Sequence, residues 1–263
     1  MNIPSHAEDT MTQPDRPFVL IHGSWHTGDS WRYVLKSLSE RGYRAYAPTL
    51  AGHGPGVERG GITLADLIQS VVTYIVERDL RHIILVGHSL AGIVLPGVAA
   101  AIPERIQQLI FLDALVLEDG ERAVDTQPEL AAQMLPLAEN SPDFTLPVTW
   151  EYWQALWHDP KGSSWASPER AKQVFEQDLF PEPMGPYLAP VAMQRFRALG
   201  LPSSYLLCRQ DTAFGDQFWH DMALRLGSLI FEMDGGHEVL YTRPDELADQ
   251  LIAISRLGMQ VAA

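Results

Sequence analysis

Short runs of apolar, largely β-branched residues alternate along the chain with segments whose apolar residues recur at helical spacing. The short runs predict strands at Phe18–Ile21, Tyr43–Ala47, His82–Val86, Gln108–Asp113, Ser203–Cys208 and Leu229–Met233. The periodic segments predict helices at Trp31–Arg41, Leu64–Ile75 after a Thr63 cap, Leu90–Ile102, Phe214–Leu226 and Pro244–Leu257. Such alternation is typical of βαβ units, so we expect an α/β fold whose mostly parallel sheet carries the active site at the carboxyl ends of its strands.

One long segment interrupts this alternation. Residues 116–201 contain many prolines and helical pieces such as Trp150–Trp157, and a segment of that length is too long to be a loop. We interpret it as a helical cap inserted over the carboxyl edge of the sheet. The predicted organisation is a flexible tail at residues 1–17, an α/β core at residues 18–115 and 202–263, and the cap at residues 116–201.

The tryptophans of the cap have two interpretations. Trp150, Trp153 and Trp157 are spaced by three and four residues, which places them on one helix face and favours packing. A cap rich in Trp, Met and Phe also predicts an apolar or aromatic substrate compartment. Trp153 and Trp157 are therefore kept as candidate residues of the substrate pocket.

Composition and charge exclude several classes of protein. The chain has 263 residues, of which 46% are hydrophobic, so disorder and a disulfide-stapled miniprotein are excluded. It has 19 Lys and Arg against 33 Asp and Glu, a formal charge of −14, and such a charge repels nucleic-acid phosphates and anionic lipids. A small-molecule substrate is the expected partner. The oligomeric state stays open, with a homodimer as one option.

Neither a metal nor a cofactor is predicted. Cys208 is the single cysteine, which excludes an internal disulfide and a multi-cysteine metal site. No zinc-ligand spacing and no glycine-rich phosphate loop occurs. No apolar run approaches the roughly 20 residues of a transmembrane helix, and Met1–Pro17 lacks the basic start and apolar centre of a secretion signal. The expected location is the cytoplasm.

The most informative segment is Ile83–Gly92, where a buried strand runs into Gly87-X-Ser89-X-Ala91 and then directly into a helix. A nucleophile at a sharp strand–helix turn needs small neighbours on both sides, and the turn presents its hydroxyl beside free backbone N–H groups at the helix N-terminus. Ser89 is therefore the predicted nucleophile. Ala91 stands where the usual pattern has glycine.

A serine hydroxyl needs a base that is itself oriented by an acid, and the order for this type of turn is serine, acid, histidine. His237 lies four residues past the last predicted strand, which suits the base. Asp211 follows the penultimate strand and is the preferred acid, because that place is the commoner solution. Asp113 ends an adjacent strand and is the alternative acid, or else lines the pocket or supports Asp211; Asp216 is a weaker third candidate.

The turn after the first strand predicts an oxyanion hole. Gly23 lets the backbone pass close to the substrate, so the N–H of Ser24 can join that of Leu90 on a developing oxyanion. His22 is expected to have a structural hydrogen-bonding role. For His26, a pocket-lining role and a loop-bracing role stay open.

Four segments together carry a family resemblance: Phe18–Trp31, Gly87–Gly92, Gln210–Phe214 and Gly235–His237. With them the chain resembles the α/β-hydrolase superfamily and, within it, the branch of plant methylesterases and hydroxynitrile lyases with their bacterial relatives. By position, the resemblance implies the α/β-hydrolase fold, Ser89 as nucleophile, Asp211 as acid, His237 as base, and the amides of Ser24 and Leu90 as the oxyanion hole.

Residues and resemblance together predict an esterase-like serine hydrolase that cleaves a small ester of an apolar or aromatic acid through an acyl-enzyme. A C–C bond lyase or cofactor-free oxygenase that uses the histidine as base, a biosynthetic hydrolase or cyclase, and a non-catalytic binding protein are the alternatives. Hydroxynitrile lyases have threonine at the position of Gly23 and lysine after the catalytic histidine. Here the second position is Glu238, whose carboxylate would repel cyanide.

Overall fold

The architecture is built on one parallel sheet. The computed structural model describes residues 16–156, 168–215 and 217–257. Within these residues the sheet has the strand order β2-β1-β3-β4-β7-β8, with every neighbouring pair parallel. Its strands are β1 (Phe18–Ile21), β2 (Ala45–Tyr46), β3 (Ile83–His88), β4 (Ile106–Leu112), β7 (Ser203–Cys208) and β8 (Leu229–Met233). Two further short strands, β5 (Thr145–Leu146) and β6 (Glu182–Pro183), form a separate antiparallel pair.

Helices follow the strands along the chain. In the core they are α1 (Arg32–Glu40), α2 (Leu64–Glu77), α3 (Leu95–Ala101), α8 (Phe218–Leu226), α9 (Val239–Thr242) and α10 (Pro244–Leu257). Between residues 116 and 201 they are α4 (Pro128–Glu139), α5 (Trp150–Leu156), α6 (Pro168–Asp178) and α7 (Met193–Arg197). Helices α1 and α10 pack together, as do α2 and α3, while β1 and β3 are buried along their whole length. Strands covered in this way explain the uninterrupted apolar runs of the sequence.

Most core elements lie where the sequence predicts them. β1, β7, β8 and α10 have the predicted bounds, and the Thr63 cap of α2 is confirmed as a capping box with Asp66. The helix expected at Phe214 begins only at Phe218, because Gly215 adopts a φ of +101° that ends any regular helix there.

The segment after Ser89 differs from a single helix. Residues Ser89–Ile93 form a 3₁₀ turn, and the α-helical part is limited to α3. Gly92 explains the tight passage: a Cβ on it would lie 2.1 Å from the carbonyl oxygen of Leu115. The chain can pass there only without a side chain.

Residues 116–201, which we call the cap, contain α4 to α7 and the β5–β6 pair. The last of these helices, α7, packs against α3 of the core. The β5–β6 pair was not expected, because two-residue strands that include Pro183 give no alternating pattern. The division of the chain into tail, core and cap stays a prediction. Within the described ranges, no helix has the length and apolar character that a membrane crossing requires.

Candidate active site

Ser89 stands on a strained turn directly after β3. Its φ is +56°, in the left-handed region that non-glycine residues rarely adopt, and its carbonyl accepts a hydrogen bond from the Leu115 amide at 3.0 Å. Gly23, in the loop that follows the neighbouring strand β1, approaches so closely that a Cβ there would be 2.8 Å from the Ser89 Cβ. The strained conformation of Ser89 is therefore held in place by contacts on two sides, as expected at a functional position.

Three side chains from separate loops form one hydrogen-bonded chain. The Nδ1–H of His237 donates to Oδ2 of Asp211 at 2.6 Å, which leaves Nε2 to accept from the Ser89 hydroxyl at 3.0 Å. All three residues are buried. The Trp219 indole stacks on the His237 ring with centroids 5.1 Å apart. The imidazole is thus held in a single orientation between its acid and the hydroxyl.

Asp113 lies behind this chain. One of its oxygens accepts from the Cys208 amide at 2.9 Å, it is fully buried, and it lines neither of the cavities described below. Burial and then the charge of Asp211 raise the pKa of Asp113 well above its usual range. The geometry pairs Asp211 with His237. Of the two alternative roles considered for Asp113, it lies beside Asp211, as a supporting residue would, and it lines neither of these two cavities.

The loop after β1 is braced by the cap. The backbone N–H of Trp25 donates to Oε2 of Glu182 at 2.6 Å, and its indole N–H donates to the Leu146 carbonyl at 3.1 Å. Glu182 and Leu146 are paired residues of β6 and β5. The Ser24 hydroxyl is hydrogen-bonded to the Tyr187 hydroxyl, also from the cap. The cap thus fixes the backbone beside Ser89 through polar contacts.

Histidines complete this bracing. His22 donates from Nδ1 to the Gly23 carbonyl and accepts at Nε2 from the Leu50 amide, which confirms its predicted structural role. Burial and then the charge of His53 lower the pKa of His22 well below 6.5. His53 lies 2.9 Å from Glu182. Burial opposes a charge on His53, but the Glu182 carboxylate outweighs it and raises the pKa of that histidine.

A large, mostly apolar cavity opens over Ser89. It encloses about 610 Å³ including its mouth and lies between core and cap. Ser24 and Leu90 line it together with Ser89. Much of its wall is apolar or aromatic, including Leu115, Leu130, Met134, Met184, Phe218 and Trp219. The cavity is thus suited to an apolar group of considerable size.

A second, smaller cavity of about 240 Å³, including the space at its mouth, also borders Ser89. His237 lines this cavity and not the large one. His26 and Glu238 face each other in it, with Nε2 and Oε2 3.3 Å apart, and both are almost wholly buried. Burial disfavours the charged form of both side chains, but the interaction between them outweighs this effect. The Glu238 carboxylate raises the pKa of His26, and His26 lowers the pKa of Glu238.

The other candidate pocket residues have the following positions. Gly23, His26 and Trp153 line the small cavity. His26 also donates from Nδ1 to the Ser24 carbonyl at 2.7 Å, so it braces the loop as well. Trp153 packs against the Trp150 ring, with centroids 5.5 Å apart, as the spacing predicts. Trp157 lies outside the described residues.

Sequence reasoning missed several residues of the site. Glu182 gives no signal in the sequence, because nothing marks a carboxylate of the cap as the partner of a distant loop. Tyr187 and Trp219 likewise belong to segments whose pattern indicates only packing. Glu238 had a signal, its position directly after His237, but its pairing with His26 could not be predicted. Among the described residues, no group of three or more His, Cys, Asp or Glu side chains is arranged to hold a metal ion.

The sequence matches a known family over most of its length. The profile of the alpha/beta hydrolase family covers residues 18–250, and the chain belongs to that family. A "Carbendazim hydrolyzing esterase" from Nocardioides sp. is 38% identical over 125 residues, 45% of this chain and 52% of that protein. The chain thus matches about half the length of that relative. "Methylesterase 1" of Arabidopsis thaliana is 25% identical over 90% of this chain and 95% of its own.

A solved structure extends the likeness to three dimensions. An extracellular alpha/beta-hydrolase from a Paenibacillus species has a TM-score of 0.84 and 30% identity, covering 91% of this chain and 98% of that one. That protein is described as sharing structural and functional homology with tobacco salicylic acid binding protein 2. The predicted α/β-hydrolase fold and the resemblance to plant methylesterases are confirmed. The chain is an esterase-like hydrolase.

Proposed function

We propose that this protein is a serine carboxylesterase in which Ser89 is the nucleophile, His237 the general base and Asp211 the acid. The proposal rests above all on the hydrogen-bonded chain from Ser89 through His237 to Asp211. Such a chain activates a hydroxyl that is otherwise a weak nucleophile at neutral pH. The Ser89 proton passes to Nε2 of His237 as Oγ attacks the ester carbonyl, and Asp211 stabilises the imidazolium that forms.

The negative charge of the tetrahedral intermediate develops on the former carbonyl oxygen. We assign its stabilisation to the backbone N–H groups of Ser24 and Leu90, two residues that line the large cavity together with Ser89. The contacts of His26 and Glu182 with the Ser24–Trp25 backbone hold this loop before substrate binds. Donors fixed in advance lower the barrier, because no reorganisation is needed when the charge forms.

The two cavities favour an ester with unequal halves. The leaving alcohol must take a proton from Nε2 of His237, so it departs on the side of the small cavity that His237 lines. The acyl group then occupies the large apolar cavity. The proposed substrate is an ester of an apolar or aromatic acid with a small alcohol.

The test is hydrolysis of nitrophenyl esters together with labelling by a phosphonate probe. We expect turnover, with one probe molecule attached to Ser89 by peptide mass spectrometry. Ser89→Ala is expected to lower kcat by about 10⁴-fold or more and to abolish labelling. Absence of both turnover and labelling in the unmodified protein would refute the proposal. Nitrophenyl ester hydrolysis that survives Ser89→Ala but is lost in His237→Ala would indicate that His237 acts as a general base without an acyl-enzyme, as the lyase and oxygenase alternatives require.

A further inference from the structure

The small cavity combines two features that the esterase reaction itself does not explain. It gives access to Ser89 on the side of His237, and its wall holds the buried pair of His26 and Glu238. Among the residues that the structure describes, no donor is aligned for a regular hydrogen bond to either oxygen of Glu238, whose carboxylate faces His26 and the nearby Trp153 indole. A buried carboxylate whose oxygens can accept further hydrogen bonds lowers the stability of the fold unless a ligand donates those bonds.

The acyl acceptor has to enter through this cavity. Water attacks the acyl-enzyme where the alcohol has left, and it must give its proton to Nε2 of His237. Of the two cavities that reach Ser89, only the small one is lined by His237. The acyl group in the large cavity closes the other approach.

We infer that the small cavity is a subsite for the acyl acceptor, and that Glu238, held in place by His26, orients the attacking water there. This inference rests on the proposed esterase function. The ligand is water, whose first O–H faces Nε2 of His237 and whose second O–H donates to the Glu238 carboxylate.

The step balances in protons and electrons. A lone pair of the water oxygen forms the new bond to the acyl carbon, one proton passes to Nε2 of His237, and the carbonyl π pair moves to the oxyanion. On collapse the bond from carbon to Ser89 Oγ breaks, and Oγ takes the proton back from His237. Glu238 accepts only a hydrogen bond from the second water proton and ends the cycle unchanged.

The charges suit this role. The lowered pKa of Glu238 keeps it ionised, and the raised pKa of His26 allows an imidazolium partner. His26 is itself anchored by its bond to the Ser24 carbonyl, so the carboxylate is fixed relative to the loop that carries the proposed oxyanion donor. A charged acceptor binds a water proton more strongly than a neutral one.

The experiment compares water with methanol as acceptors. Methanol has a single O–H group, and its proton must pass to His237. Methanol therefore has no second O–H that could donate a hydrogen bond to Glu238. We expect Glu238→Gln to slow hydrolysis of the acyl-enzyme about tenfold and to leave methanolysis nearly unchanged. With a nitrophenyl ester in dilute methanol, the ratio of methyl ester to free acid should therefore rise about tenfold. A purely structural defect slows both reactions together and leaves this ratio unchanged.

The controls separate this inference from the proposed function. Asp234→Asn removes an exposed carboxylate three residues before His237 and should leave the product ratio at the unmodified value. If Glu238→Gln fails to react with the phosphonate, the variant that also carries His26→Gln removes the pair as a unit and is measured instead. An unchanged product ratio overturns the inference. If the unmodified protein forms no methyl ester and takes no label, the proposed function itself fails.

Discussion

Ser89, Asp211 and His237 stand on loops that leave three strands of one parallel sheet, whereas much of the apolar wall opposite them comes from the cap. The core side is set by strand register, which fixes the loop ends relative to one another. The cap side is set by short helices and by a two-residue strand pair. In the proposed reaction, the core therefore supplies the reacting groups, and the cap determines which acyl group fits.

The two regions are not independent. The β5–β6 pair of the cap holds Trp25 through the Glu182 carboxylate and the Leu146 carbonyl. The cap therefore also contributes to the position of the proposed oxyanion loop. The effects of substitutions in the core, in the cap wall and at this contact should therefore differ, both in magnitude and in the property that changes.

The largest expected effect lies in the core. Asp211→Asn should lower kcat by about 10⁴-fold, because the amide favours the wrong tautomer of His237. Asp113→Asn should leave kcat within about threefold, because the hydrogen bond to Nδ1 of the imidazole comes from Asp211 and the asparagine oxygen can still accept from the Cys208 amide. Steady-state kinetics on one nitrophenyl ester decides the assignment. The reverse order of effects would make Asp113 the acid.

In the cap wall, Leu130→Trp should reduce the room for a long acyl chain. We expect kcat/KM to fall about 100-fold for a long-chain ester, and to change little for an acetyl ester, because misfit in an apolar pocket costs about 1–3 kcal/mol. Leu137→Trp on the same helix is the matched control, since Leu137 is 56% exposed. Equal losses for both esters would contradict the assignment of this cavity to the acyl group.

At the contact between cap and core, Glu182→Gln should lower kcat about tenfold with KM nearly unchanged. The Trp25 amide would keep an acceptor but lose a charged one, and the loop that carries the Ser24 N–H would be less well fixed; loss of a whole oxyanion donor costs about 10²–10³-fold. Glu129→Gln, at an exposed position on α4, should have no effect. A change confined to KM would indicate that this contact shapes the pocket instead.

The smallest effect concerns stability and pH. The raised pKa of Asp113 means that the folded state binds this proton more tightly than the unfolded chain, whose aspartate pKa is about 3.9. Stability from this group is fully present below that value and is lost as the pH rises through the folded-state pKa. Asp113→Asn should therefore raise Tm near neutral pH by about 2–4 °C. The gain should vanish below pH ~4, and a gain that is constant with pH would show another cause.

The core could be predicted from the sequence because its signals are local. Continuous apolar runs mark strands that are covered on both faces, and the small residues around Ser89 mark one type of turn. The choice between Asp211 and Asp113 was open because both end strands at the same edge. Only the three-dimensional arrangement shows which carboxyl group reaches Nδ1 of His237.

The cap and the polar pairs could not be predicted, because their partners are distant in sequence. His53 and Glu182 are separated by 129 positions, and neither lies in a motif. His26 and Glu238 come together only when the loops after β1 and β8 are placed side by side. A buried ion pair depends on geometry that the pattern of apolar residues does not carry.

The closeness of Gly23 to Ser89 restricts how evolution or design could convert this scaffold into a hydroxynitrile lyase. Any side chain at residue 23 would begin with a Cβ 2.8 Å from that of Ser89, and both atoms belong to rigid backbone positions. The threonine of the hydroxynitrile lyases therefore cannot be introduced here as a first, isolated step. A path to that chemistry has to move the serine turn away from β1 before the new hydroxyl can be accommodated.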